Sequence, residues 1–200
     1  MDKKWSVSSV AKAHGYLNVR EEAVVHKEFG SWISKQFEDN DATIFDVGCG
    51  NGRVIYSLPP YERYVGIDIN QSSIDAAKKS FSSSGSAVFY LQDIEEELAE
   101  EVLQEIQKCE VCYIDSVFAM LENPKKVLQE ILVPNFDVIY LNRMSFHDVS
   151  SIAVSSSYNW KGMGGSSILW KLSSDFLKDA LAGTKAVYQS KGNISVIICN

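Results

Sequence analysis

Residues 42–53, with the sequence ATIFDVGCGNGR, constrain the fold of this chain more than any other stretch. The apolar run 44–47, broken only by an acid, is typical of a parallel strand that is buried on both faces. Gly48, Gly50 and Gly52 then occupy alternate positions, where the missing Cβ atoms allow a tight turn and a close approach of a ligand to the main chain. The stretch therefore predicts a strand, a cofactor-binding loop and the start of a helix.

Two positions in this loop discriminate between cofactors. A dinucleotide-binding loop has the spacing G-x-G-x-x-G, but the required third glycine is Arg53 here and the third glycine present is Gly52. Asp46 at the end of the strand would repel a pyrophosphate, whereas its carboxylate suits a ligand that carries an ammonium and a sulfonium group. The loop is therefore predicted to bind S-adenosylmethionine (SAM) rather than NAD, and a glycine-rich turn without a ligand is the alternative.

A strand-then-helix pattern repeats after the loop, with further strands predicted at 63–68, 87–91, 110–115 and 137–141. An aspartate ends or closely follows each of the first four strands. These are Asp46, Asp68, Asp93 and Asp115. Because right-handed crossovers bring the carboxyl ends of parallel strands to one edge of a sheet, the four carboxylates are expected to converge on one crevice.

The acid-x-G-x-G-x-G pattern from Asp46 to Gly52 resembles motif I of the class I SAM-dependent methyltransferases. The resemblance implies an α/β, Rossmann-like fold with a seven-stranded, mostly parallel sheet of order 3-2-1-4-5-7-6, helices on both faces and a terminal antiparallel hairpin. The turn residues 191–193 between the last two predicted strands favour that hairpin. Residues 113–132 and 138–146 are similar to bacterial methyltransferases associated with surface-polysaccharide and glycan biosynthesis.

The same resemblance assigns roles to the strand-end acids. It implies that Asp68 accepts hydrogen bonds from the ribose hydroxyls and that Asp93 holds the adenine amino group, with Ile94 supplying a main-chain N–H and an apolar face. Asp115 would orient the methionine amino group or cap the following helix. The residues predicted to bind SAM, or its product S-adenosylhomocysteine (SAH), are Asp46, Gly48, Cys49, Gly50, Asp68, Ile69, Asp93, Ile94, Asp115 and Ser116.

The segment after the fifth strand, residues 141–148, is expected to open on the crevice where the methyl group would point. Arg143 is predicted to hold an anionic group of the acceptor, since its planar fork matches a carboxylate or a phosphate. His147 is a candidate general base if the acceptor is a hydroxyl, with a structural or surface histidine as the alternative. Residues 115–124 carry no Asn-Pro-Pro-Tyr or Asp-Pro-Pro-Tyr motif, which disfavours methylation of nucleic-acid bases.

Composition sets outer limits on partners and location. The net charge is -7, the isoelectric point is near 5.0 and there is no basic stripe, which argues against a nucleic-acid partner. No stretch approaches the ~18 apolar residues of a membrane span, so a cytoplasmic location is expected. Four cysteines fit that compartment, and the pair Cys109 and Cys112 lacks the second pair of a zinc site, so no metal is predicted. The oligomeric state is left open.

Two further segments have two possible interpretations each, and a third is predicted to be a helix. Residues 1–40 are predicted to be a helical extension, either an extra layer on the sheet or a lid through Trp5, His14 or Tyr16, before a methyltransferase domain at 41–200. Residues 149–165 are rich in Ser and Gly and predict a loop, either a substrate lid or a packed excursion. A Glu-rich helix is expected over 94–107, with its acidic run on the solvated face.

These features predict a SAM-dependent methyltransferase that transfers a methyl group to a small-molecule or glycan acceptor, at oxygen. Two alternatives belong to other classes. One is a NAD-type oxidoreductase, and the other is a methyltransferase-fold protein that binds SAM or a protein partner without transferring anything.

Overall fold

The computed structural model describes residues 26–37, 41–144, 146–147, 151–160, 163–173 and 175–199, and only the backbone of residues 146–147, 152–160 and 163–170. The possible lid residues Trp5, His14 and Tyr16 lie outside the described residues. Ten strands are described: β1 (Thr43–Val47), β2 (Arg63–Asp68), β3 (Ala87–Leu91), β4 (Val111–Asp115), β5 (Val138–Asn142), β6 (Phe146–His147), β7 (Ile152–Trp160), β8 (Met163–Ser173), β9 (Val187–Lys191) and β10 (Ile194–Ile198).

The helices of the described residues are of uneven length, from three to ten residues. They are α1 (Lys27–Gln36), α2 (Gln71–Ser80), α3 (Glu100–Ile106), α4 (Pro124–Lys126), α5 (Val133–Asn135) and α6 (Phe176–Leu181), with 3₁₀ turns at Arg53–Ser57 and Phe118–Met120 and a π-helical stretch at Val127–Leu132. The predicted Glu-rich helix is confined to α3. Ahead of it, Glu95 accepts hydrogen bonds from the backbone N–H groups of Glu122 and Asn123, both at 2.7 Å, so this acid ties two loops together rather than facing solvent only.

Seven strands form one sheet in the order β3-β2-β1-β4-β5-β10-β9. Numbered within this sheet alone, the order is 3-2-1-4-5-7-6, which confirms the predicted fold class. The first five strands are parallel, and β10 pairs antiparallel with both β5 and β9, which gives the predicted terminal hairpin. All five residues of β1 are buried, as its central place in the sheet requires.

Helix α1 covers one face of the sheet. Phe29 and Ile33 are buried, and the Phe29 ring stacks on Tyr113 of β4 with 4.0 Å between ring centroids. Gly30 lets the helix backbone approach closely, because a Cβ at this position would overlap the carbonyl oxygen of Ser57. The N-terminal helix is therefore a packed layer of this fold.

The glycine loop is not followed by an α-helix, contrary to the prediction. Residues Arg53–Ser57 form a 3₁₀ turn, and the chain then becomes extended at Leu58. Pro59 and Pro60 explain the difference, since each lacks an N–H group and disfavours helical geometry in the residue before it. Helix α1 packs against the end of this turn, where Gly30 lies close to Ser57.

The Ser- and Gly-rich segment predicted as a loop forms a long β-hairpin instead. Strands β7 and β8 pair antiparallel from Ile152 with Lys171 to Trp160 with Met163, and β8 also pairs in parallel with β6 at Phe146 and His147. Composition misled here because serine and glycine are typical of loops, whereas the alternating apolar positions that favour a strand lie at the two ends of the segment. No helix in the described part of the chain combines the length and apolarity needed to cross a bilayer.

Candidate functional site

The glycine loop is closed by backbone hydrogen bonds. The N–H groups of Gly48 and Cys49 both donate to the carbonyl oxygen of Ile67 in β2, at 2.8 and 3.0 Å. Gly48 has a φ of 76°, and a Cβ there would overlap the Val117 side chain in the turn after β4. A glycine is therefore required both for the backbone angle and for the contact that brings β1 and β4 together at the carboxyl edge. The Cys49 side chain is buried, which leaves its backbone as the part that a ligand can reach.

Asp68 fixes the outer part of this loop. One carboxylate oxygen accepts the N–H of Gly50 at 2.9 Å, and the other accepts the N–H of Asn70 at 2.8 Å. Asn70 in turn caps α2, accepting the N–H of Ser73 with its side-chain oxygen. A carboxylate has about four lone-pair positions, so Asp68 can accept two further hydrogen bonds from a ligand.

Asp46 lies below the loop rather than facing solvent. Its side chain is buried, and Tyr64 of β2 donates a short hydrogen bond to Oδ2. Burial raises the pKa of Asp46 to about 8, against a smaller lowering by the Tyr64 hydroxyl, and the charges of Asp115 and Asp68 raise it further. The charges of these three acids therefore interact, whereas the sequence predicted that four strand-end acids would converge.

The fourth strand-end acid has a different setting. Asp93 follows β3, and its Oδ1 accepts the N–H of Glu95 at 3.0 Å. The Ile94 side chain is buried in the core, so a ligand contact there would be made by its main chain. Ile69 and Leu91 leave 41% and 50% of their surface exposed at the same edge, which offers an apolar face beside Asp68 and Asp93.

The ends of β4 and β5 are joined by an ion pair. Arg143 contacts Asp115 with two guanidinium nitrogens, and the Nε–Oδ1 distance is 2.6 Å. Ser116 follows β4 and Arg143 follows β5, with φ values of 62° and 56°. Among the described residues, these two are the residues other than glycine that have a positive φ. Such angles are unfavourable for side chains with a Cβ, so this strain is concentrated at the candidate site.

A second polar group reaches Asp115 from the N-terminal helix. His26, which precedes α1, is buried, and its Nδ1 lies 2.9 Å from the Tyr113 hydroxyl and 3.8 Å from Asp115 Oδ2. The Tyr113 oxygen also accepts a hydrogen bond from Asn142 Nδ2 at 3.1 Å, and Asn142 Oδ1 accepts the N–H of Arg143 at 3.0 Å. Burial raises the pKa of Tyr113 well above its usual value, so its hydroxyl stays protonated.

Sequence reasoning missed His26, Tyr64 and Tyr113. A signal was present for the two tyrosines, because each interrupts an otherwise apolar buried strand and a buried hydroxyl needs a partner. The predicted base, His147, is the last residue of β6 and pairs with Ser173 of β8 through the backbone. Its side chain lies outside the described part of the structure.

A polar cavity of about 540 Å³ lies at the opposite edge of the sheet. It is lined by residues at or just before the starts of the strands, among them Thr43, Glu62, Glu110 and Asp137. In open α/β sheets, ligands bind outside the carboxyl ends of the strands, where the glycine loop and the acids converge. We therefore place the candidate site at the carboxyl edge and not at this cavity.

Comparison with known proteins shows the family and the fold of this chain. A family model described as a methyltransferase domain matches residues 38–147. DesVI of Streptomyces venezuelae aligns over 90% of this chain and 92% of its own, with 12% identity and a TM-score of 0.63. CalS10, an amino pentose methyltransferase from Micromonospora echinaspora, covers 98% of both chains with 11% identity and a TM-score of 0.60.

The magnesium protoporphyrin IX methyltransferase ChlM of Synechocystis PCC 6803 aligns over 90% of this chain and 80% of its own, with 12% identity and a TM-score of 0.58. At these identities the likeness shows a shared fold. No curated protein matches the sequence.

Proposed function

We propose a function from one premise: the chain belongs to the methyltransferase domain family. It is a SAM-dependent methyltransferase that transfers a methyl group to the oxygen of a small-molecule or glycan acceptor. The observation that carries this proposal is the glycine loop held by Asp68 beside Asp46 and Asp115, at the carboxyl edge of a methyltransferase sheet.

The residues at this edge fit SAM. Asp68 accepts two hydrogen bonds from the loop and has lone pairs left for the two ribose hydroxyls. A carboxylate that already accepted four hydrogen bonds could not bind the ribose in this way. Ile69 presents an exposed apolar side chain for the adenine ring, and Asp93 with the main chain of Ile94 holds the adenine edge. The residues in contact with the amino-acid part would be Asp46, Gly48, Cys49, Gly50, Asp115 and Ser116.

Structurally similar proteins support the cofactor and the acceptor class. CalS10 was solved with SAM bound and acts on an amino pentose, and ChlM was also solved with SAM. MtfA is a glycopeptide N-methyltransferase solved with SAM, with 10% identity and a TM-score of 0.57 over 86% of this chain and 92% of its own. Sugar-bearing acceptors are therefore the first class to test.

When bound, SAM supplies a methyl group on a sulfonium. The acceptor atom attacks the methyl carbon in line with the bond to sulfur, and SAH is the leaving group. Most of the rate enhancement then comes from holding that atom about 3 Å from the methyl carbon, and effective molarity alone can supply about 7 to 11 kcal/mol. Arg143 is placed to orient an anionic group of the acceptor, provided that it exchanges one of its bonds to Asp115 for the new partner. His147 would accept the proton of an acceptor hydroxyl.

The test begins with cofactor binding. Calorimetry with SAM, SAH and NAD is expected to show binding of the two adenosyl compounds and none of NAD. Turnover is then measured with SAM labelled in the methyl group against matched hydroxyl and amino sugars. Binding without transfer to any acceptor would favour a SAM-binding protein without catalysis, and binding of NAD alone would contradict the proposal.

The role of His147 is tested on an acceptor that is turned over. With a hydroxyl acceptor, His147→Ala is expected to lower turnover about 10²- to 10⁴-fold and to change SAM affinity by no more than a few-fold, since general-base catalysis has this magnitude. With an amine acceptor the same variant is expected to have little effect. A hydroxyl acceptor that is methylated at the wild-type rate by His147→Ala would remove this residue from the mechanism.

A further inference from the structure

The acid of the glycine-loop motif has an unusual partner. Asp46 is buried between β2 and β4, and the hydroxyl of Tyr64 donates to its Oδ2. This bond leaves Oδ1 as the acceptor for a ligand. Tyr64 is itself fully buried, and burial raises its pKa well above the usual value, so it stays a hydrogen-bond donor throughout the physiological range.

The groups that face Asp46 are neutral or acidic. Cys49 comes from the glycine loop, Tyr64 and Asp68 from β2, and Cys112, Tyr113 and Asp115 from β4. His26, just before α1, contacts the Tyr113 hydroxyl and so lies near the side chains around Asp46. Arg143, a cation on this edge, is paired with Asp115.

An ionised Asp46 is therefore unfavourable until a cation arrives. Burial disfavours its charged form, and Asp68 and Asp115 add repulsion, so that its pKa lies at about 8. Tyr64 opposes these effects by donating to the carboxylate. A cationic group placed beside the glycine loop would reverse the balance, because an opposite charge within ~4–6 Å favours the ionised acid.

We propose that Tyr64 is a positioning residue that presents Asp46 to the ammonium group of the cofactor, and that binding of this group releases one proton from Asp46. The inference rests on the proposed function and deepens it. The carboxylic acid of Asp46 loses its proton to the solvent, the carboxylate that remains pairs with the ammonium group, and the ligand keeps all of its own protons.

The first experiment measures the proton directly on the wild-type protein. SAH binding is followed by calorimetry at pH 7 in two buffers with different heats of ionisation, and the difference gives the number of protons released. With a pKa of about 8 in the free protein, we expect the release of about 0.9 proton per SAH bound. The control ligand is 5′-methylthioadenosine, which lacks the amino-acid part and is expected to release none.

The second experiment is the pH dependence of affinity. Because binding releases a proton, SAH affinity is expected to increase by about tenfold per pH unit below pH ~7.5 and to level off above pH ~8.5. The affinity for 5′-methylthioadenosine is expected to stay flat over the same range. This difference separates Asp46 from groups that contact the adenosine part.

The third experiment uses variants to test whether Asp46 releases the proton and whether Tyr64 positions the Asp46 carboxylate. Asp46→Asn is expected to abolish both the proton release and the pH slope. Tyr64→Phe removes the hydroxyl that favours the carboxylate, so the slope should extend to higher pH and SAH affinity at pH 7 should fall several-fold. The matched control is Tyr61→Phe, since this ring lies 6.2 Å from the ring of Tyr64 and has no bond to Asp46.

The outcomes are distinct. Release of about one proton in the wild type, lost in Asp46→Asn and shifted in Tyr64→Phe but not in Tyr61→Phe, supports the inference. SAH binding without proton release, or release that persists in Asp46→Asn, overturns the inference and leaves the proposed function standing. Absence of SAH binding in the wild type overturns both.

Discussion

The two halves of the carboxyl edge hold their acids in different ways. In the cofactor half, formed by the ends of β1 and β2 with the glycine loop, Asp68 is held by the backbone N–H groups of Gly50 and Asn70. In the other half, formed by the ends of β4 and β5 and called the acceptor half after the role proposed for Arg143, Asp115 is held by the side chain of Arg143, with His26 3.8 Å away. One half is organised by main chain and the other by side chains.

The difference indicates which half is rigid and which can exchange partners. Backbone donors in a closed loop cannot move without opening the loop, whereas a guanidinium whose side chain is 49% exposed can leave one carboxylate for another. The cofactor half is thus suited to a ligand of fixed shape, which finds the same arrangement in every cycle. The acceptor half is suited to a ligand that competes with Asp115 for Arg143.

The largest effect on the unfolding free energy is expected at Asp46. This acid lies in the cofactor half but, unlike Asp68, is held by a side chain, that of Tyr64. Its pKa of about 8 in the native state lies above the unfolded value near 3.9, so the native state binds more protons and stability is lost as the pH rises through this window. Asn cannot ionise and still accepts the Tyr64 hydroxyl. Asp46→Asn is therefore expected to gain on the order of 4 kcal/mol of unfolding free energy over the wild type at pH 7.

Denaturant unfolding of wild type and Asp46→Asn at pH 5 and pH 7 checks this. The gap between the two proteins should widen toward pH 7. An equal gap at both pH values would show that Asp46 does not titrate in this range.

The next effect concerns the contact between the two halves. Gly48→Ala is expected to lower the unfolding free energy by about 3 kcal/mol, because an L-residue at this φ is strained and the added Cβ overlaps Val117. The control is Gly85→Ala, where an added Cβ meets nothing within 4 Å, and a change within about 0.5 kcal/mol is expected. Equal effects of the two substitutions in thermal unfolding would contradict the packing argument.

A smaller effect is expected for the acid held by backbone groups. Asp68→Ala leaves the N–H groups of Gly50 and Asn70 without their acceptor, which should cost about 2 kcal/mol of stability. SAH affinity should fall about ten- to a hundredfold, or roughly 1.5 to 3 kcal/mol, through the lost bonds to the ribose. Unchanged SAH affinity in calorimetry of the folded variant would separate Asp68 from the ribose site.

The smallest effect is expected in the acceptor half. Arg143→Ala breaks an ion pair whose arginine side chain is 49% exposed, while Asp115 keeps His26 at 3.8 Å, so a loss below about 1 kcal/mol of unfolding free energy is expected. Lys126→Ala, at the exposed pair with Glu130, provides a matched reference. A loss of 2 kcal/mol or more for Arg143→Ala would mean that the acceptor half is as rigid as the cofactor half.

The contrast also explains what the sequence could predict. Main-chain geometry has sequence signals that act locally, such as Gly48 in a turn or Asp68 at a strand end, and the sheet order followed from the resemblance that these positions carry. Side-chain pairing between distant segments has no local signal. The bond from Tyr64 to Asp46 and the approach of His26 to Asp115 depend on how strands and α1 come together, so neither could be read from spacing.

Two predictions of local structure were wrong, each for its own reason. Serine and glycine in residues 149–165 were interpreted as a loop, although extended pairing of β7 with β8 satisfies the backbone as well as solvent would. The glycine loop was expected to lead into an α-helix, but the proline pair at 59–60 prevents it.

The packing of α1 has a consequence for how the protein is made. Phe29 and Ile33 leave the ribosome before any strand of the sheet, yet the Phe29 ring is covered by Tyr113 of β4 and Tyr140 of β5. The apolar side of this helix must therefore wait, without its partners, until more than half of the chain has been synthesised. Contacts of this long range slow folding and expose nascent chains to aggregation. The contact between Phe29 and Tyr140 thus makes the packing of this early helix dependent on the last of the parallel strands.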